Sequence, residues 1–189
     1  MKTIDVLVKQ NEEMVVPFIW VNDDIENVEV SAKLIGQGSK LHIVGIFLGN
    51  DYKQITFNTK VFHESQNSFS RTIIRGVFRN NASFSNDGLI RIQKGAKGAD
   101  GYFASKVLLF DDAKGRSVPS LEIDENELKA GHASTVGRPD ENQLLYLRSR
   151  GLSEKQAEQL IISGFFAPVL KLLSNEQQKD AAKQITSYL

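Results

Sequence analysis

Between Lys2 and about Asp124, apolar and polar residues alternate with a period of two in short runs. Examples are Val28, Val30, Ala32 and Leu34, then Leu41, Ile43, Gly45 and Phe47, then Ile55 and Phe57, then Ile90 and Ile92. Such alternation gives an extended strand one apolar face and one polar face. Gly, Asn, Asp and Ser bound the runs, and proline interrupts the region only at Pro17 and Pro119, so little opposes continuous hydrogen-bonded ladders. Many short strands with no helical segment between them predict an all-β domain. Its last strand-like segment is Leu121 to Ile123, followed by an acidic turn.

A sandwich, an antiparallel barrel and a β-solenoid all fit this pattern. Small polar clusters at Gly36-Gln37-Gly38, Asn50-Asp51, Asn80-Asn81 and Asn86-Asp87-Gly88 read as turns and lean towards the solenoid. The Asp-Gly pair is equally a hairpin signal, and no strict repeat chooses between the architectures.

After Asp140 the period becomes helical. Pro139 and Asp140 open a helix whose apolar side is Leu144, Leu145 and Leu147; Arg148 and Arg150 lie at its end and Gly151 stops it. Ser153 caps a second helix that carries Ala157, Leu160, Ile161, Phe165 and Phe166 towards Leu173. Ser174 to Gln177 resembles a capping box for a last helix ending at Tyr188 and Leu189. The expected division is a β core over 1–138 and a helical domain over 139–189. The helices must bury their apolar face on the β core or on a partner.

Composition narrows the function. The 189 residues are 41% apolar and 24% charged, as in a soluble globular protein. Lys+Arg and Asp+Glu are 23 each, so no overall field draws in nucleic acid or an anionic membrane. No apolar run approaches the roughly 20 residues of a membrane span. Charges also stand among the first 13 residues where a signal peptide would be apolar, so the expected location is the cytoplasm. Cysteine is absent, which removes disulfides, thiolate nucleophiles and cysteine ligation of metals or clusters by this chain alone.

Few residues are left to carry chemistry. His132 lies between Gly131 and Ala133 in a run of small residues, where its imidazole is free to approach a metal, a cluster or a second chain. The plainer alternative is a turn histidine bonded to its own loop. His42, on the opposite parity to Leu41 and Ile43, and His63, near a strand end, read as structural. Asp124, Glu125 and Glu127 read as a solvated turn.

The run Lys94 to Gly101 lacks the Gly-Lys-Ser/Thr ending of a phosphate loop and is followed by a strand at Phe103 to Phe110, so it reads as a turn. Ser134 and Thr135 sit in no nucleophile elbow. No clustered carboxylates support the glycan chemistry that some β-helices perform.

Several segments occur in a telling order: Arg75-Gly76-Val77, Gly88-Leu89-Ile90, Lys106 to Leu109, Pro119 to Ile123, Gly131 to Gly137, and Gln143 to Leu152. Together, over about Phe62 to Phe166, they resemble the core of the SufB/SufD proteins of iron-sulfur cluster assembly. The resemblance implies a right-handed parallel β-helix followed by a small helical domain, a scaffold and not a self-sufficient enzyme. It implies pairing with itself or with a SufB-like subunit, and a C-terminal helical dock for a SufC-type ABC ATPase. On this reading Gln143, Tyr146, Leu147, Arg148, Arg150, Gly151 and Phe165 belong to that dock, and the segment around His132 lies at the pairing interface.

His132 matches the histidine of the SufD motif, and the resemblance implies that it ligates a transient iron-sulfur cluster whose other ligands come from a partner. Ala130 stands where a cysteine often lies, Ala133 replaces the glutamate of SufB, and SufB's cluster-building cysteine has no counterpart. The chain therefore looks like a SufD-like minimal member. A different reading of the same residues is a partner-binding subunit that keeps the fold without ligating iron or sulfide.

Overall fold

A computed structural model of the chain describes residues 2–21 and 27–189. Ten strands are followed by three helices. The strands are β1 (Lys2–Val8), β2 (Glu13–Val21), β3 (Asn27–Leu34), β4 (Lys40–Gly49), β5 (Gln54–His63), β6 (Phe69–Phe78), β7 (Ser83–Ile92), β8 (Asp100–Leu109), β9 (Lys114–Ile123) and β10 (Lys129–Gly137). The helices are α1 (Glu141–Ser149), α2 (Glu154–Leu170) and α3 (Asn175–Tyr188).

Odd strands form one sheet in the order β1-β3-β5-β7-β9, and even strands form the other, β10-β8-β6-β4-β2. Every pairing in both sheets is parallel, and each strand pairs with the next but one in the chain. Tight hairpins cannot join parallel neighbours. The chain therefore winds as a parallel β-solenoid of five coils, two strands to a coil, which decides among the three architectures the alternation left open.

The repeat that the sequence hides lies in the turns. Asn11, Gly38, Asn67 and Gly98 occupy one corner of successive coils, all with φ between +54° and +71°. Their amides donate to the next coil, Asn11 to Gln37 O at 3.0 Å, Gly38 to Gln66 O at 3.1 Å and Asn67 to Lys97 O at 2.8 Å. Gly, Asn and Asp occupy left-handed backbone at smaller cost than other residues, so residue type here is set by conformation. At another corner Asp51, Asn80 and Asp111 take φ near +55°, and Asn80 Nδ2 donates to Asn50 Oδ1 at 2.6 Å.

Inside the coils the inward parity forms one apolar core containing Phe18, Trp20, Phe47, Phe57, Phe78 and Phe84. Phe47 is the hub, its ring centroid 5.0 Å from Trp20, 4.9 Å from Phe57 and 5.4 Å from Phe84. Each such ring contributes about 1.5–3 kcal/mol of burial. A second core lies outside the even-strand sheet: Val44, Ile46, Leu48 and Val77 are covered by Ile162, Phe166, Val169, Leu173, Ala181 and Ile185 of the helical segment.

The helix starts are as the side chains predict. Asp140 accepts from Asn142 N, and Ser153 with Gln156 and Ser174 with Gln177 form reciprocal capping boxes. Among the described residues no helix is long and apolar enough to cross a membrane.

Two sequence expectations are corrected. Asn86-Asp87-Gly88 lies within β7 and is no turn. Asn86 Nδ2 donates to Phe57 O, and Asp87 N donates to Asn58 Oδ1 at 2.9 Å, so side-chain amides carry the ladder across this point. Gly88 is required because the Phe103 ring fills the space a Cβ would take. Secondly, the strands do not end at Ile123: Lys129–Gly137 is β10, and His132 stands on a strand and not in a turn.

Candidate functional site

The last coil, β9 and β10, forms one edge of each sheet. On β10 the register places Ala130 beside Gly101, His132 beside Phe103, Ser134 beside Ser105 and Val136 beside Val107. Gly101, Phe103, Ser105 and Val107 are buried and face the solenoid interior, so the even positions of β10 share that inward parity. Contacts agree: Val136 Cγ1 fills the space beside Gly115 on β9, and Ser134 Oγ donates to Ser117 O at 3.3 Å.

His132 therefore stands at the open end of the solenoid. It is exposed because β10 has a neighbouring strand on one side only. Leu121, Leu128, Ala130 and Val136 around this end are half-buried, and the outer edges of β9 and β10 present unpaired backbone groups.

An exposed neutral imidazole is a suitable ligand for iron. Among the described residues, however, no group of three or more His, Cys, Asp or Glu is placed to hold a metal ion.

The other two histidines are held against neighbouring side chains. His63 is fully buried between two hydroxyls, Nδ1 2.8 Å from Ser68 Oγ and Nε2 2.8 Å from Ser70 Oγ. Ser68 Oγ gives its own proton to Ser65 O at 2.9 Å, so it accepts from His63 Nδ1–H, and Nε2 accepts from Ser70. Burial holds the His63 pKa down at about 4 and keeps the ring neutral. His42 lies half-buried on the outward face against Phe69, ring centroids 5.6 Å apart, with its pKa also lowered by burial.

The residues expected to form the dock divide into two sets. Gln143, Tyr146, Leu147 and Phe165 line a groove of about 640 Å³ between α1, α2 and β8, together with Leu108, Leu160, Ile161 and Gly164. Arg148, Arg150 and Gly151 lie off it. Arg148 faces Glu154 at 4.0 Å, Arg150 stacks over Tyr146 at 5.2 Å, and Gly151, at φ +96°, turns the chain from α1 into α2.

Gly164 lines this groove without having been singled out in the sequence, and Leu108 and Arg75 entered only as parts of motifs. The guanidinium of Arg75 lies 5.2 Å from the centroid of Phe165. Only the packing of α2 on the sheet brings the two together.

Residues 1–165 match the family model of the SUF system FeS cluster assembly SufBD core domain. The chain belongs to the SufBD core family. It is 35% identical over 170 residues to the iron-sulfur cluster assembly protein SufD of Bacillus subtilis (strain 168), covering 89% of this chain and 38% of that protein. A SufBD family protein of Mycobacterium tuberculosis (strain ATCC 25618 / H37Rv) is 31% identical over 163 residues, covering 80% of this chain and 41% of its own length. One from Mycobacterium leprae (strain TN) is 28% identical over 171 residues, with 86% and 44% covered. This SufBD core thus spans about two-fifths of the length of these relatives. The matched segment takes in all five coils, α1 and most of α2, so His132 and the residues lining the groove lie within the family's shared part.

Proposed function

We propose that this chain is a scaffold subunit of a SUF-type iron-sulfur cluster assembly complex. Residues 1–138 act as a stiff coil that pairs with a second copy or a SufB-like subunit, and residues 139–189 as the helical dock for a SufC-type ATPase. The observation that carries this reading is the position of His132: inward parity, open end, beside the edge of a sheet able to extend across a subunit contact. Iron and sulfide are cargo here, held by His132 together with ligands from the partner. Motion of the ATPase reaches that seam through the short connection from β10 to α1.

The second reading, a subunit that pairs without ligating iron or sulfide, is favoured by the absence of cysteine and of any three-residue ligand group among the described residues. Co-expression with SufB-type and SufC-type partners, with and without His132→Ala, separates the two. Loss of iron and sulfide from a complex of unchanged subunit composition supports the ligand role. Unchanged cluster content in that complex leaves the non-ligating reading, and failure to recover any complex removes both.

A further inference from the structure

On the outward face of the odd-strand sheet, three cations pair with acids of the adjacent coil. Lys60 meets Glu29 at 2.8 Å, Arg91 meets Glu122 at 3.2 Å and Arg116 meets Asp87 at 2.6 Å. Lys114, on the same face, has no ion pair among the described residues. It stands at the start of β9, beside a patch where the sheet carries short side chains.

The register builds that patch as two rows across β5, β7 and β9. Gln54, Ser83 and Lys114 form the first, and Thr56, Ser85 and Arg116 form the second. Together they line a basin of about 280 Å³ on the outer surface of the sheet. Thr56, Ser83 and Ser85 are half-buried and make its floor, while Gln54, Lys114 and Arg116 are exposed at its rim.

No carboxylate lines the basin. The side-chain hydroxyls of Thr56, Ser83 and Ser85 have no hydrogen-bond partner among the described residues. Asp87, the next outward residue of β7, is neutralised by Arg116. Half-buried donors without partners and a free ammonium in one hollow favour a ligand that brings acceptors and negative charge together.

We infer that this basin takes a tetrahedral oxyanion of the phosphate type, free or as the end group of a small phosphomonoester. The hydroxyls of Thr56, Ser83 and Ser85 donate to its oxygens and Lys114 supplies the opposite charge. Outward neighbours on one strand lie about 6.6 Å apart and register neighbours about 4.8 Å apart, so the floor hydroxyls surround a space the width of one such ion. A rotatable O–H can turn to meet an oxygen from each side, and lysine serves as the point charge. A metal cation does not fit, since its ligands would be neutral hydroxyls beside a fixed ammonium. A nucleic-acid strand would need a line of unpaired cations along the sheet, and Lys60 and Arg91 are already paired. The basin opens on the odd-strand sheet, whereas the helical segment covers the even-strand one, so binding here is separate from anything the helices hold.

The test is titration of the full chain with inorganic phosphate at constant ionic strength and pH, followed residue by residue by amide NMR. Saturating shifts at Ser83, Ser85 and Lys114 are expected, with a Kd on the order of 1 mM. Lys114→Met and Ser85→Val are each expected to weaken binding at least about tenfold. Valine is a favoured strand residue, so Ser85→Val should keep the thermal midpoint, and its loss of binding cannot then be ascribed to unfolding.

Shifts that grow linearly with phosphate, or that spread over the lysines and arginines of both sheets, would overturn the inference. Native binding by Ser85→Val with loss in Lys114→Met would do the same, because a lone surface charge would then explain the attraction. Sulfate binding as well as phosphate supports a tetrahedral oxyanion, and acetate binding equally well would overturn that class. Glycerol 3-phosphate binding more tightly than inorganic phosphate assigns the basin to a monoester, and the reverse order assigns it to the free ion.

Discussion

His132 and Phe103 stand side by side in the even-strand sheet on the same inward parity, yet Phe103 is 1% exposed and His132 is open to solvent. One further coil separates a core position from a rim position. Replacing Phe103 with Ala is expected to lower the free energy of unfolding by about 3–5 kcal/mol, the cost of an aromatic-sized cavity. His132→Ala should change it by less than about 0.5 kcal/mol, as for an unpacked surface residue. Urea denaturation of both variants checks this, and a comparable loss in each would mean that the rim imidazole is packed.

The buried His63 makes stability depend on pH. The unfolded chain protonates this imidazole near 6.5, whereas the folded chain resists until about pH 4, so between those values the unfolded state binds more protons. Its contribution is complete above about pH 6.5 and is lost as pH falls towards 4. At 1.36 kcal/mol per pH unit the loss is up to about 3 kcal/mol. His42, also lowered by burial, adds a slope of the same sign, so the measurement is the difference between wild type and His63→Gln. Parallel stability curves for the two between pH 7 and 4 would contradict the expectation.

At the corner column Gly38 has φ +70°, and a Cβ there would lie 2.6 Å from Asn11 Oδ1 of the preceding coil. Gly38→Ala is therefore expected to lose about 1–3 kcal/mol, from the left-handed backbone and from the displaced Asn11 side chain. Gly38→Asn tests the two causes: it suits the backbone but aggravates the crowding. A thermal midpoint for Gly38→Asn equal to wild type would show that crowding contributes nothing.

Helix α3 is pinned to the solenoid by Tyr188, whose hydroxyl donates to Gly49 O at 2.7 Å and whose phenol pKa is raised by burial. Tyr188→Phe removes that bond while Gly49 O keeps the one from Arg79 N, and should cost about 0.5–1.5 kcal/mol. Because the bond joins the last turn of α3 to the end of β4, the first consequence is local. Amides of residues 175–188 should exchange faster with solvent deuterium while those of β4 and β6 keep their protection, and uniform acceleration across the chain would refute a local pin.

Residues acting on near neighbours were legible in the chain. Val28, Val30, Ala32 and Leu34 alternate because a strand has two faces, and Asp140, Ser153 and Ser174 cap helices because they satisfy amides two or three residues away. The order of small motifs around His132 also pointed to the SufBD family, which the match over residues 1–165 bears out.

Contacts between residues about 30 positions apart decided the rest, since no local pattern encodes which strand pairs with which. The parallel pairing of Val28 with Phe57 and of Phe84 with Gly115 makes the solenoid. The amide of Asn86 reaching Phe57 O overrode a hairpin signal, and pairing with β8 made a strand of the small residues from Ala130 to Gly137. The packing of α2 on β6 set Arg75 under Phe165. Exposure of His132 is likewise a property of the sheet's edge and not of its neighbours in sequence, because burial depends on what lies across space.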